Sequence, residues 1–220
     1  MKKDSTLYVV IFTFVICAVF VSLLALANEL TKERVAANRR FTSQSAILSA
    51  LGISYSDPAD AAVKFAAGVS EITDSDGSAL YPPAWRGSTN GNDYIITQHA
   101  GAGLWGTITV MVAADPSGSE ILGVRIIDQN ETPGLGGRIT EDWFLDQFRN
   151  LATAAGKIAI KTGAESGGGS LPPGTVDGIT GATRTSDAMA PIINGALLRI
   201  RAISDGSALR ADTTNQGGGK

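Results

Sequence analysis

The chain opens on one unbroken apolar run and then changes to short alternating segments. Leu7 to Ala27 contains no charged residue, and about 20 such residues cross a bilayer as a helix. Thr13 and Ser22 do not break this pattern, because their hydroxyls can bond back to helix carbonyls. Asn28 to Ala50 spaces Leu30, Val35, Phe41 and Ile47 among polar residues. This predicts a stalk over residues 28–52 that packs as a helix through Ala46 to Leu51 and stops at Gly52. Asp57-Pro58-Ala59-Asp60 is a helix start, with an Asp cap, proline at the first helical position and an acid in the first turn. A short helix over Ala61 to Ala67 follows from it.

Asp74 to Asn92 is rich in Gly, Ser, Pro and Asp and reads as loop. Three alternating segments then predict strands at Tyr94 to His99, Thr107 to Ala114 and Ile121 to Asp128. Asp115-Pro116-Ser117-Gly118 supplies turn chemistry between the last two, so the three form an antiparallel meander. Thr140-Glu141-Asp142 begins a helix whose apolar side holds Trp143, Phe144, Phe148 and Leu151. Ile158 to Lys161 is a further short strand, and Gly163 to Gly174 a Gly/Ser/Pro loop. Met189, Ile192, Ile193, Ala196, Leu197 and Ile200 recur at helical spacing over Ala188 to Ile203. Pro191 places the start of that helix near Ala188 to Ala190. Asp212 to Lys220 reads as disordered tail. The fold class expected is α+β: a single N-terminal transmembrane helix, then a domain with an antiparallel sheet flanked by helices.

Composition narrows the chemistry. The 220 residues are 44% apolar and carry a formal net charge of −3. No basic block follows the first residues, which argues against nucleic acid as partner. There is one cysteine, Cys17, and one histidine, His99. A disulfide, a four-cysteine cluster and a two-histidine metal site are therefore excluded within this chain. Cys17 reads as a small residue facing lipid or a neighbouring helix.

Two glycine-rich segments carry candidate chemistry. Asp177-Gly178-Ile179-Thr180-Gly181-Ala182-Thr183-Arg184-Thr185-Ser186 runs from a loop into a helix. Small residues allow close backbone approach, and amides at a helix start attract anions. The hydroxyls of Thr180, Thr183, Thr185 and Ser186 add donors. The segment is either a phosphate cradle or an ordinary turn with an over-supplied cap. It lacks the lysine of a nucleotide-binding P-loop. The second segment, Glu131-Thr132-Pro133-Gly134-Leu135-Gly136-Gly137, either connects two elements or lies flat against a planar ligand.

Together the two segments resemble the FMN-binding domain shared by the NqrC subunit of the Na+-translocating NADH:quinone oxidoreductase and the RnfG subunit of the Rnf electron-transport complex. In that family the motif Asp-x-x-Ser/Thr-Gly-Ala-Thr is the flavinylation site. It stands complete here from Asp177 to Thr183, with Thr185 and Ser186 following. The family's Glu-Thr-Pro-Gly-Leu-Gly loop, beside the flavin ring, matches Glu131 to Gly136. Gly103-Leu104-Trp105 looks more like the quinone-reductase protein, and Asp142-Trp143 to Gln147-Phe148 like the Rnf protein. The resemblance implies FMN held by a phosphoester on Thr183. It implies cofactor contacts from Asp177, Gly178, Thr180, Gly181, Ala182, Thr185, Ser186, Glu131, Thr132, Gly134, Leu135 and Gly136. Lys161 or Arg184 can pair with the phosphate, Lys161 being the preferred candidate. Trp105 and Trp143 can border the ring, with core packing preferred for Trp143.

A threonine hydroxyl is a poor nucleophile without a base, and no histidine lies near Thr183 in sequence. Self-flavinylation is not expected; the resemblance implies an exported FAD-dependent flavin transferase. Asp177 then serves recognition or the turn, and His99 is a structural or exposed histidine. The chain has no dinucleotide fingerprint and no metal site, so electrons enter and leave through other membrane subunits of the complex. No residue of this chain is expected to be catalytic by itself.

The expected domains are a cytoplasmic N-terminus at 1–6, a transmembrane helix at 7–27, a stalk at 28–52, an extracytoplasmic FMN domain at 53–210 and a tail at 211–220. Lys2 and Lys3 orient the N-terminus inward in the inner (plasma) membrane. Ala25-Leu26-Ala27 permits a cleaved signal peptide, although the apolar run exceeds the usual 7–15 residues. Both readings export the domain. Rival functions are a free-standing exported flavin reductase and a non-redox tethered binding module.

Overall fold

The computed structural model describes residues 6–74, 77–161 and 171–206. Lys2 and Lys3, part of the Gly163 to Gly174 loop, and the tail at 211–220 lie outside the described residues. The chain divides into two units, Met1–Phe41 and Thr42–Lys220. The first is the greater part of helix α1, Thr6–Ala50. Its apolar window has a mean hydropathy of 3.0, and none of it is buried. Cys17 is exposed on it. Residues 28–50 continue this helix; they contain neither glycine nor proline to interrupt it. It ends at Gly52, where Gly52 N–H donates to the Ser49 carbonyl (3.1 Å) and Ile53 N–H to that of Leu48 (2.8 Å). This is the paired closure of a Schellman cap.

In the second unit, helix α2 (Pro58–Gly68) starts as expected. The Asp57 carboxylate accepts from Ala59 N–H and Asp60 N–H at 2.8 and 2.9 Å. Six antiparallel strands follow in sequence order: β1 Val69–Glu71, β2 Ala84–Thr89, β3 Asn92–Ala102, β4 Thr107–Ala114, β5 Glu120–Asp128 and β6 Leu151–Ala152. The expected loop at 74–92 is corrected, since it contains β2. Its hairpin with β3 closes at Asn90-Gly91, both at positive φ (52° and 77°), which is the two-residue turn that suits the strand twist.

Strand β4 is buried on both faces, and its alternation divides the core. Ile108, Val110, Val112 and Ala114 join one cluster. Met111 and Ala113 join the other, with Ala46, Ile47, Ala50 and Leu51 from the end of α1. The first cluster is covered by helix α4, Thr183–Ser204. Met189, Ile192, Ile193, Ala196, Leu197 and Ile200 are its buried stripe, the larger of them contributing about 1.5–3 kcal/mol of burial each before entropy is counted. The helix starts earlier than Pro191 suggested. Pro191 is exposed on the opposite face, so it deprives only the Asp187 carbonyl of an intrahelical donor.

The helix expected after Thr140 is also reduced. It consists of one turn, α3 Asp142–Leu145, between 3-10 turns at Gly136–Thr140 and Asp146–Phe148. Thr140 is no cap, because its hydroxyl donates to the Gly137 carbonyl (2.9 Å). Phe144 and Phe148 are fully buried and meet edge to face. Trp143 is 42% exposed rather than core. Its indole donates to Glu141, and the Arg138 guanidinium lies 5.4 Å from its ring centre. Strands β7 (Ala159–Lys161) and β8 (Thr175–Asp177) form a separate parallel pair that delivers the chain to the start of α4.

Candidate functional site

The segment from Asp177 to Thr183 is a strand end, a tight turn and a helix start. Gln147 grips the main chain of Asp177 from both sides, its amide donating to the carbonyl (3.1 Å) and its oxygen accepting from the N–H (2.8 Å). Gly178 N–H then donates to the Lys161 carbonyl (2.7 Å). Ala182 N–H closes the turn on Ile179 (2.9 Å), with Gly181 at φ +82°. A left-handed residue here suits glycine. Ser186 is buried, and its hydroxyl accepts from Ile179 N–H (2.9 Å), which fixes the turn against the first turn of α4.

Helix α4 therefore begins at Thr183. Its N-cap position is Ala182, no side chain caps it, and no acidic side chain occupies the first turn. The first amides of a helix lack intrahelical acceptors and carry the positive end of the dipole. Thr183 and Arg184 are exposed at this end.

These residues line one side of a cavity of about 420 Å³, a size typical of small-molecule sites. Gly181, Ala182, Thr183, Arg184 and Thr185 form the α4 side, and Glu131, Thr132, Leu135 and Gly136 the facing loop. Leu104 and Trp105 complete it from the Gly103–Gly106 turn, which is closed by a Gly103 N–H to Gly106 carbonyl bond of 2.7 Å. Leu104, Trp105 and Leu135 are 47, 70 and 49% exposed. They form an apolar rim beside the polar helix start.

Glu131 lines the cavity and is 4% exposed. Its Oε1 accepts from Leu104 N–H (2.8 Å) and Trp105 N–H (3.0 Å), and its Oε2 from the Thr185 hydroxyl (2.7 Å). Gln129 Oε1 accepts from Glu131 N–H (2.6 Å). Both carboxylate oxygens are thus occupied by the protein.

Of the residues singled out from sequence, Thr183, Thr185, Ala182, Gly181, Glu131, Thr132, Leu135 and Gly136 converge here. Asp177, Gly178, Thr180, Ser186 and Gly134 shape the two loops without lining the cavity. Lys161 sits on β7 opposite Asp177, outside the lining, whereas Arg184 is within it. Trp105 reaches the rim and Trp143 does not. His99 packs against Gly195 of α4. Burial holds its imidazole below the usual histidine range, and the neighbouring Arg199 adds to this. The clamp by Gln147 has no signal in the sequence. The apolar pair Leu104-Trp105 between two glycines does.

The cavity fits FMN by its donor set: an uncapped helix start for a phosphate, a threonine hydroxyl at that point, and apolar side chains able to border a planar ring.

Residues 103–198 match the family described as FMN-binding domain. The C subunit of the Na(+)-translocating NADH-quinone reductase of Neisseria meningitidis serogroup A is 38% identical over 94 residues, 42% of this chain and 36% of that protein. Its counterpart in Yersinia pestis is 32% identical over 111 residues, 50% of this chain and 41% of that protein. The chain spans about two-fifths of the length of these curated relatives. The crystal structure of the corresponding protein from Parabacteroides distasonis shares the fold with a TM-score of 0.62 at 21% identity, covering 81% of this chain and 96% of that one. That of Shewanella oneidensis NqrC gives 0.63 at 20%, covering 80 and 99%. Over residues 103–198 the chain thus matches the FMN-binding domain family, and its fold is that of the two C-subunit structures.

Proposed function

We propose that this chain is an electron-transfer flavoprotein component of a membrane redox complex of the Na(+)-translocating NADH-quinone reductase type, carrying FMN as a phosphoester on Thr183. The observation that carries this is the position of Thr183. Its side chain is the first on an uncapped helix and opens on the cavity between the 131–137 loop and the Gly103–Gly106 turn. FMN supplies reversible electron transfer when bound. The chain's part is to hold it: first-turn amides and Arg184 face the phosphate, while Leu104, Trp105 and Leu135 border the ring.

Attachment is the work of a flavin transferase. The Thr183 oxygen bonds to the FMN phosphorus of FAD, the pyrophosphate bond breaks, and AMP leaves as the hydroxyl proton passes to a base of the transferase. Among the described residues Arg184 is the only cationic side chain in the lining, and it stays protonated. The run over residues 7–27 anchors the chain in the inner membrane, N-terminus inside. The FMN domain then faces the extracytoplasmic side and passes electrons to and from partner subunits. Exposure of the apolar rim suits such a relay.

The test is to co-produce the full chain with an FAD-dependent flavin transferase and examine membranes by denaturing electrophoresis under ultraviolet light. Wild type is expected to give a fluorescent band, heavier in intact mass by one FMN less water. Thr183→Ala is expected to give neither. An unlabelled wild-type chain in the presence of active transferase overturns the assignment.

A further inference from the structure

We propose that Glu131 is a positioning residue. Its buried carboxylate clamps the Gly103–Gly106 turn to the first turn of α4 and lowers the reduction potential of the flavin carried beside it. The inference rests on the reading of Thr183 above. Three donors converge on this one group, the Leu104 and Trp105 amides and the Thr185 hydroxyl. They come from elements separated from it by 26 to 54 residues in sequence. Each oxygen acts as acceptor, the pattern of an ionised carboxylate. Among the described residues no cationic side chain lies within salt-bridge distance of it. The carboxylate is held by hydrogen bonds alone.

Such a group does two things. Hydrogen bonds to a buried carboxylate contribute more than neutral ones, and leaving its donors unpaired is costly. The clamp therefore fixes the turn that presents Leu104 and Trp105, two exposed apolar side chains. The loop bearing Glu131 is held as closely to α4. A Cβ added at Gly136 would stand 2.4 Å from Thr185 Oγ1 and 2.8 Å from Glu131 Oε2, so a larger residue there would have to displace one of the two partners. The second effect is electrostatic. A fixed negative charge lining the cavity opposes added electron density on a ring held there, and a poorly solvated site strengthens the opposition.

The two effects separate by substitution in the full chain, purified in detergent with and without co-produced transferase. Hydrogen exchange followed by mass spectrometry reads the clamp without any flavin. Glu131→Ala is expected to speed exchange at the Leu104 and Trp105 amides by about ten-fold or more, with β4 unchanged. Glu131→Gln keeps the shape and one carbonyl acceptor. It is expected to shift the midpoint potential of the attached flavin to more positive values. Wild-type exchange at 104 and 105 in Glu131→Ala, or a wild-type potential in flavinylated Glu131→Gln, overturns the proposal. If Glu131→Ala does not fold, the potential of Glu131→Gln decides. If the wild-type chain takes no flavin, the Thr183 assignment fails and the potential-lowering part falls with it, while the exchange measurement still decides the clamp.

Discussion

Single residues here take their roles from what surrounds them, and motif and environment differ in how openly the sequence displays them. The run from Asp177 to Thr183 is readable because its chemistry is local: small residues, hydroxyls and a helix start within ten positions. Trp143 reads as core from its place in an apolar stripe, yet the helix that would bury it is one turn long. Its environment is set by Arg138 and Glu141 instead. His99 shows the same dependence. Burial first, then Arg199, disfavours its charged form. The folded chain therefore binds a proton less readily than the unfolded chain, whose imidazole titrates near 6.5. The stability due to this difference is complete above pH about 6.5. It is lost as pH falls toward the folded value, and levels off below that. The chain has only one imidazole, so a proton NMR titration reads it directly. The expected apparent pKa lies below 6.5 and rises toward it in Arg199→Met. A wild-type value at or above 6.5 contradicts the packing described for α4 and β3.

Elements are recognisable where one signal acts alone and hidden where two compete. Strands β3, β4 and β5 are runs of β-branched and other apolar residues bounded by turn residues, and they match their expected positions within a few residues. Ala84 to Thr89 hides because prolines 82 and 83 and a glycine- and serine-rich neighbourhood read as loop. Only pairing with β3 makes it a strand. Pro191 likewise outweighs the helical period that continues on its N-terminal side. Contacts between elements are invisible to such patterns, and Gly123 is the clearest case. It lies on β5 under the end of α1, where an added Cβ would stand 2.5 Å from the Ala50 carbonyl oxygen. Backbone cannot swing aside as a side chain does. Gly123→Ala is therefore expected to cost about 1–3 kcal/mol, the usual range for overpacking. Denaturant unfolding of the full chain in detergent measures it, and an unchanged midpoint would show that the sheet and this turn of α1 are not in register as described.

Across the whole molecule, one helix serves two solvents. Up to Phe41 its side chains are largely exposed, and its apolar window is buried nowhere. Leaving so many leucines, valines and phenylalanines in water is unfavourable, which supports lipid as their solvent. From Ala46 onward the same helix contributes Ala46, Ile47 and Ala50 to the second core cluster, followed by Leu51. Sequence alone shows the first role plainly and the second as a helix that packs through Ala46 to Leu51 and stops at Gly52, because an apolar segment does not say which surface receives it. The division makes a paired prediction. A chain beginning at Thr42 keeps every residue of the second unit. It is expected to fold, to remain in the soluble fraction and to unfold at the same denaturant midpoint as the full chain in detergent. A chain beginning at Ile53 loses Ile47 and Leu51, buried side chains worth about 2–5 kcal/mol each when truncated to alanine. Against a typical total of about 5–15 kcal/mol, that loss is expected to leave the shorter chain unfolded or aggregated. Sedimentation and circular dichroism distinguish the two. If the shorter chain folds as well as the longer, the end of α1 is dispensable and the second core cluster is not part of what holds the sheet.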